Sequence, residues 1–284
     1  MKKLNPLKAL VYAAAAFTLS VVVFIIIYIL YKGVPQIIIE LQSLFQGGDS
    51  LFQWTYNSSN VSLVPAVMNT LIMVGVSLTI SAFLGISTAI YLVEYAKTGN
   101  KFVEVIRITS ETLSGIPSII YGLFGMIFFV TYVGLGMTLI SGILTVSIMI
   151  LPLIIRSTEE ALKAVPLSYR EASFGLGAAK LRTIIVIILP SAINGILAGV
   201  ILAIGRVIGE TAALLYTAGT STSGGVAVDV VNTGGRTLSV HMYMLTSEGL
   251  HIDQAYATAA VLLVVVVGLN AMSYALAKKL TKGK

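Results

Sequence analysis

The sequence predicts an all-α integral membrane protein with six transmembrane helices. Three observations carry this. The chain has 284 residues, 57% hydrophobic and only 11% charged. Soluble domains run at roughly a quarter charged, and so few charges cannot cover a soluble fold of this length. Six apolar runs reach the ~20 residues that a helix needs to cross ~30 Å of hydrocarbon. Finally, the basic residues fall almost entirely on one set of connecting segments, as the positive-inside rule produces. One domain, 1–284, is enough to hold all of it, with core helices over about 63–277.

The spans are placed at about Val11 to Tyr31, Leu63 to Val93, Leu113 to Val133, Met137 to Ile155, Ser191 to Thr217 and Ala255 to Ala277. The second is long enough to tilt or to project beyond the bilayer. The opening MKKLNPLKA resembles the start of a signal peptide. The apolar run after it exceeds the ~7–15 residues of a signal core and no small-x-small site follows, so it reads as an uncleaved first helix. The stretch from Thr98 to Glu111 mixes Phe102, Val103, Val105 and Ile106 with Lys101, Glu104 and Arg107, and predicts an amphipathic helix leading into the third span.

Of 18 Lys and Arg, fifteen lie in the two ends, the 97–107 segment and the 156–182 segment. Lys32 and Arg236 lie in the opposite set, and Arg206 lies inside the fifth span. This bias puts both ends and the 157–190 loop in the cytoplasm. The outer loops are then about 32–62, 134–136 and 218–254, the last long enough to hold structure of its own. The net charge of +6 is spread over short loops and forms no basic face, so nucleic acid is not expected as a partner.

The chain has no cysteine, hence no disulfide and no thiolate chemistry. No G-x-x-x-x-G-K-[ST] string is present to wrap nucleotide phosphates. The two histidines, His241 and His251, have no carboxylate at ligand spacing, and no metal site is expected. No nucleophile–base arrangement stands out, so no catalytic residue and no bound cofactor is expected. If the chain moves solute, the energy comes from a partner ATPase or from an ion gradient.

From Arg156 to Pro190 the chain leaves the membrane. Val165-Pro166-Leu167 breaks one helix and starts another, with Pro166 suited to a first helical turn. Tyr169 to Phe174 predicts a short helix, and Gly175 and Gly177 permit a turn. By residue type, this segment either lies on lipid headgroups or is a rigid knob for another protein. The pattern Glu171, Ala172, Gly177, Ile187, Leu189 and Pro190 resembles the EAA loop of permease subunits of bacterial ABC importers. The resemblance implies that the loop docks into an ATPase cleft, and that the fold is that of type I (MetI-like) importer permeases. Ser173 departs from the pattern, which has Ala there.

In the fifth span Arg206 and Glu210 stand four apart, on one face of a continuous helix. A charge in the bilayer centre costs at least ~2.5–3.5 kcal/mol, so such residues pair or face a wet path. Two readings are open: a structural ion pair, or an anion path on which Glu210 holds the guanidinium. Gly195-x-x-x-Gly199 and Gly205-x-x-x-Gly209 make small-residue grooves for helix packing. In the third span Pro117 opens the helix, and Ser114, Ser118 and Tyr121 either bond an oxyanion or satisfy the opened backbone. Arg107 and Glu111, again four apart, lie near the cytoplasmic mouth and either gate it or cap the helix.

The strings GRVIGETA (205–212) and SGIPSIIYG (114–122) are similar to the two membrane signatures of phosphate-specific ABC importer permeases. The runs GETAALLYTAG and TLSVHMYMLTSEGL make the PstA type the nearer match, although Ala213 stands where that pattern has proline. The resemblance implies import of inorganic phosphate by alternating access through the cytoplasmic membrane. It also implies three partners: a PstC-type permease, a PstB-type ATPase dimer that uses ATP and Mg, and a PstS-type phosphate-binding protein. Rival readings are an ABC permease for another oxyanion or an amino acid, an ion-coupled secondary transporter, and a sensory or scaffold membrane protein.

Overall fold

The computed structural model describes residues 6–56, 61–97, 99–221, 230–249 and 251–282. Among them it is all helical, with eleven α-helices: α1 Pro6–Phe45, α2 Val64–Ile90, α3 Lys101–Ser114, α4 Ser118–Gly125, α5 Leu139–Lys163, α6 Leu167–Gly175, α7 Lys180–Thr183, α8 Leu189–Ile208, α9 Ala212–Thr217, α10 Leu238–Glu248 and α11 Ile252–Lys282. Single π-helical turns extend α2 to Tyr95 and α4 to Tyr132, and join α7 to α8. Five helices are long and apolar enough to cross a membrane, and six spans result if the bent α3–α4 pair is taken as one.

The centre of the bundle is α5. It packs on α2 along one side and on α8 along the other. Met73 of α2, Ile143, Val146 and Ile150 of α5, Val207 and Ile208 of α8, and Leu214 of α9 form its buried core. Close approach is set by small residues. A side chain on Gly85 would meet Ile154 at 2.8 Å, and one on Gly195 would meet Ala161 at 2.6 Å. Gly199 closes likewise on Ser157, so the first small-residue groove seats α5. The second does not: nothing lies within 4 Å of a side chain at Gly205. Outside this core, α1 packs mainly on α11, where Gly33 closes on the Tyr256 carbonyl, and the rest of α1 presents Leu10, Phe17 and Phe24 outward to hydrocarbon.

Three expectations are corrected. The first helix runs on to Phe45, through Lys32 and Pro35, so the outer loop shortens to about 46–63. There Glu40 accepts Leu51 N at 3.0 Å and folds that loop back onto the helix. The third span starts at Ser118, not Leu113: the amphipathic α3 runs on to Ser114 and meets α4 at 105°, because Pro117 disfavours helical backbone at Ile116 and starts α4 anew. The fifth span is two helices, α8 and α9, separated at Gly209–Thr211. The outer segment has structure of its own, as predicted, in α10. Its stretch 222–229, and the basic residues Lys2, Lys3 and Lys284, lie outside the described residues.

Candidate functional site

The two broken spans break against each other. α4 and α9 pack side by side, and a side chain on Gly122 would meet Ala213 Cα at 2.7 Å. The two sequence signatures are thus one structural unit, with SGIPSIIYG supplying the first break and GRVIGETA the second. Gly122 stands ten residues before the end of this segment at Tyr132.

Arg206 lies in the last turn of α8, half-buried. Among the described residues no ion pair within 4.0 Å includes Arg206. The expected pairing with Glu210 on one helical face does not form, because α8 ends at Ile208 and Gly209 caps it. Glu210 turns the other way. Its Oε1 accepts Ala213 N at 2.9 Å in the first turn of α9, and its carbonyl accepts Ser239 Oγ at 2.6 Å from α10. The carboxylate is a buried structural brace, and the guanidinium is left to the open side of α8 with Leu202, Gly205 and Gly209.

The hydroxyls of the first break serve the backbone. Ser114 Oγ donates to Glu111 O at 2.8 Å, and Tyr121 Oη donates to Leu113 O at 2.7 Å. Ser118 opens α4, half-buried.

At the inner end, Arg107 and Glu111 of α3 do not pair with each other. Arg107 Nε meets Glu159 Oε1 of α5 at 2.7 Å, and Arg156 Nη1 of α5 meets Glu111 Oε1 at 3.2 Å. Lys163 and Glu160 join through Glu159 and Arg156. Three cations and three carboxylates thus stitch α3 to α5 around a cavity of about 210 Å³.

The cytoplasmic loop folds as a knob. Pro166, extended at ψ 140°, sits one residue before α6 and acts as its N-cap, rather than inside the first turn. At the far end Gly177 takes φ +78°, Gly177 N bonds Phe174 O and Ala178 N bonds Ser173 O. This pair of bonds is a Schellman closure, and the left-handed residue explains the glycine. Glu171 and Ala172 are exposed, beside a groove lined by Tyr169, Leu176, Arg182 and Val186. Leu189 and Pro190 stand apart from them: they open α8, and Leu189 packs on the cluster of Leu162, Ile184 and Ile188. The departure at Ser173 has a use, since its buried hydroxyl bonds Thr183 Oγ1 at 2.8 Å. Sequence reading missed Arg170, whose guanidinium grips Glu94 across 76 residues; no local spacing signals that pair.

A membrane core with broken spans, and a knob at one end of it with apolar residues exposed, define a multi-pass membrane protein. The chain belongs to the family of binding-protein-dependent transport system inner membrane components, whose profile matches residues 81–282. It is 32% identical to the probable ABC transporter permease protein YqgI of Bacillus subtilis, over 90% of this chain and 88% of that one. It is 35% identical to the phosphate transport system permease protein PstA 1 of Mycobacterium tuberculosis, over 72% of this chain and 67% of that one. The PstA-type resemblance therefore holds beyond the two short signatures. The fold matches a chain of a bacterial alginate ABC transporter with TM-score 0.66 at 18% identity, over 95% of this chain and 96% of that one. It matches the MetNI methionine ABC transporter with TM-score 0.63 at 21% identity, over 77% and 96%. These neighbours establish the fold of an ABC importer permease.

Proposed function

We propose that this chain is one of two membrane subunits of an ATP-driven importer of inorganic phosphate, and that Arg206 lines the anion path. The observation that carries the reading is the Arg206 guanidinium in the last turn of α8, beside the break between α8 and α9. Its sequence neighbour Glu210 is committed to α9, and no ion pair among the described residues includes the guanidinium. A planar, permanently charged fork suits a tetrahedral oxyanion. The first turn of α4, with no side-chain cap on its amides, faces the same break. The PstA-named relatives favour phosphate among the oxyanions.

On this reading a PstC-type permease completes the pathway across the open side of α8. A PstB-type ATPase dimer binds the two knobs and consumes ATP with Mg, while this chain itself binds neither. A PstS-type protein delivers phosphate at the outer face. Closing of the ATPases opens the path outward, phosphate passes Arg206, and hydrolysis resets the subunits. Both chain ends are cytoplasmic.

The test is uptake of labelled phosphate into vesicles holding the chain with these partners. Arg206→Gln is expected to lower uptake at least about tenfold while binding-protein-stimulated ATP hydrolysis persists, and Arg206→Lys to lower it less, since the charge is kept and the fork lost. Undiminished uptake in Arg206→Gln sinks the assignment. A wild-type complex that moves sulfate or molybdate, but not phosphate, moves it to another oxyanion.

A further inference from the structure

The knob is not hung on a flexible loop. Arg170, the residue before Glu171, is almost wholly buried, as is Glu94, at 13% and 6% side-chain exposure. Its Nη2 and Nε donate to Glu94 Oε1 at 2.7 and 3.1 Å. Nη1 donates to Val165 O at 2.9 Å, and Nη2 also to Leu162 O at 3.0 Å. Leu162 lies in the last turn of α5 and Val165 just beyond its end, where the carbonyls favour a cation. Glu94 lies in the π turn that ends α2. One side chain on α6 thus binds the inner ends of both helices that form the bundle's centre.

The far half of α6 is held too, by the buried Ser173–Thr183 bond toward α7 and α8. The opposite face stays free, with Leu176 89% and Tyr169 50% exposed. Val165 belongs to the loop itself, but Glu94 is on the turn that ends α2, and Leu162 is on α5, the helix whose Arg156 and Glu159 close the mouth on α3.

We propose that Arg170 is a positioning residue that passes displacement of α6 into α2 and α5, and so to the inner mouth. The inference rests on the reading that α6 receives the ATPase. Four hydrogen bonds from one planar group fix direction as well as distance, which an ammonium cannot do.

The chain has no native cysteine, so with partner subunits freed of cysteine, Ser110→Cys on the wall of the mouth cavity reports the mouth alone. The readout is its labelling rate by a soluble maleimide in the assembled complex, with and without Mg-ATP, and it needs no transported solute. ATP is expected to change the rate at least about fivefold in the Ser110→Cys background. In Arg170→Met and in Glu94→Gln, with the ATPase still bound, the change is expected to fall below about twofold. The double variant is expected to be no worse than the poorer single, because one interaction is being removed twice. Breaking a buried pair can destabilise the chain, so Arg170→Lys is the milder probe: an intact complex with an intermediate response. A background rate indifferent to ATP, or an Arg170→Met rate as responsive as the background, overturns the proposal. Leu176→Glu separates the underlying reading. If the ATPase still binds that variant with full affinity, the docking face is elsewhere.

Discussion

Arg206 and Glu210 show how much a single backbone break changes what a pair of charges does. On a continuous helix they would be one turn apart and neutralise each other. With the helix ended at Ile208, the carboxylate becomes a brace for α9 and the guanidinium becomes available. This separates their phenotypes. Glu210→Gln keeps an oxygen that accepts Ala213 N, and is expected to retain most uptake. Glu210→Ala leaves that buried amide unpaired, at about 1–3 kcal/mol, and is expected to lower the melting temperature of the purified chain; equal stability of the two variants would contradict the brace. A third buried group acts at the outer face. Burial first, and the Arg236 charge second, push His241 from 6.5 down to about 3, against a backbone bond to Val61. Its folded pKa lies below its unfolded one. Its contribution is therefore complete above pH 6.5 and is lost as pH falls toward 3, by about 1.4 kcal/mol per pH unit within that window. Trp54, the only tryptophan, stands two residues before Tyr56, whose ring meets His241 edge-on at 6.2 Å. Acidification is expected to change Trp54 fluorescence, and His241→Gln to shift that transition to lower pH.

Among the helices, what the sequence made legible was composition and punctuation. The apolar runs located the spans, Pro117 and Pro166 marked real breaks, and Thr98 to Glu111 read correctly as the amphipathic α3. The second broken span was hidden because GRVIGETAALL keeps an unbroken apolar rhythm and contains no proline. Only the packing of Gly122 on Ala213, a contact 91 positions apart, requires α9 to be a separate helix. The partners of Arg107, Glu111 and Arg170 were invisible for the same reason: each lies on another helix. Local spacing favoured i,i+4 pairing, and tertiary geometry overrode it. The glycine contact can be tested directly. Gly122→Ala puts a methyl where 2.7 Å separates it from Ala213 Cα, and backbone must move. The expected cost is about 1–3 kcal/mol, with loss of uptake, whereas Gly75→Ala on α2, with nothing within 4 Å, is expected to be silent in both assays.

For the whole molecule, the charged elements sort to two opposite ends of the bundle. The knob, the α3–α5 ion pairs and the basic segments occupy one end of the bundle, and Glu40, α10 and Arg236 occupy the other. The α3–α5 mouth is balanced, three cations against three carboxylates, while Arg206 has no ion-pair partner among the described residues. If Arg206 lines an anion path, as proposed, this arrangement draws an anion to that site and does not retain it at the mouth. The orientation is open to a direct check, since the chain lacks cysteine. A cysteine replacing Leu176 on the knob, or Asp49 in the loop after α1, lies on an exposed surface. In right-side-out vesicles an impermeant maleimide is expected to label Asp49→Cys at once and Leu176→Cys only after permeabilisation. The reverse pattern would put the knob outside, away from ATP, and no partner ATPase could then drive this chain.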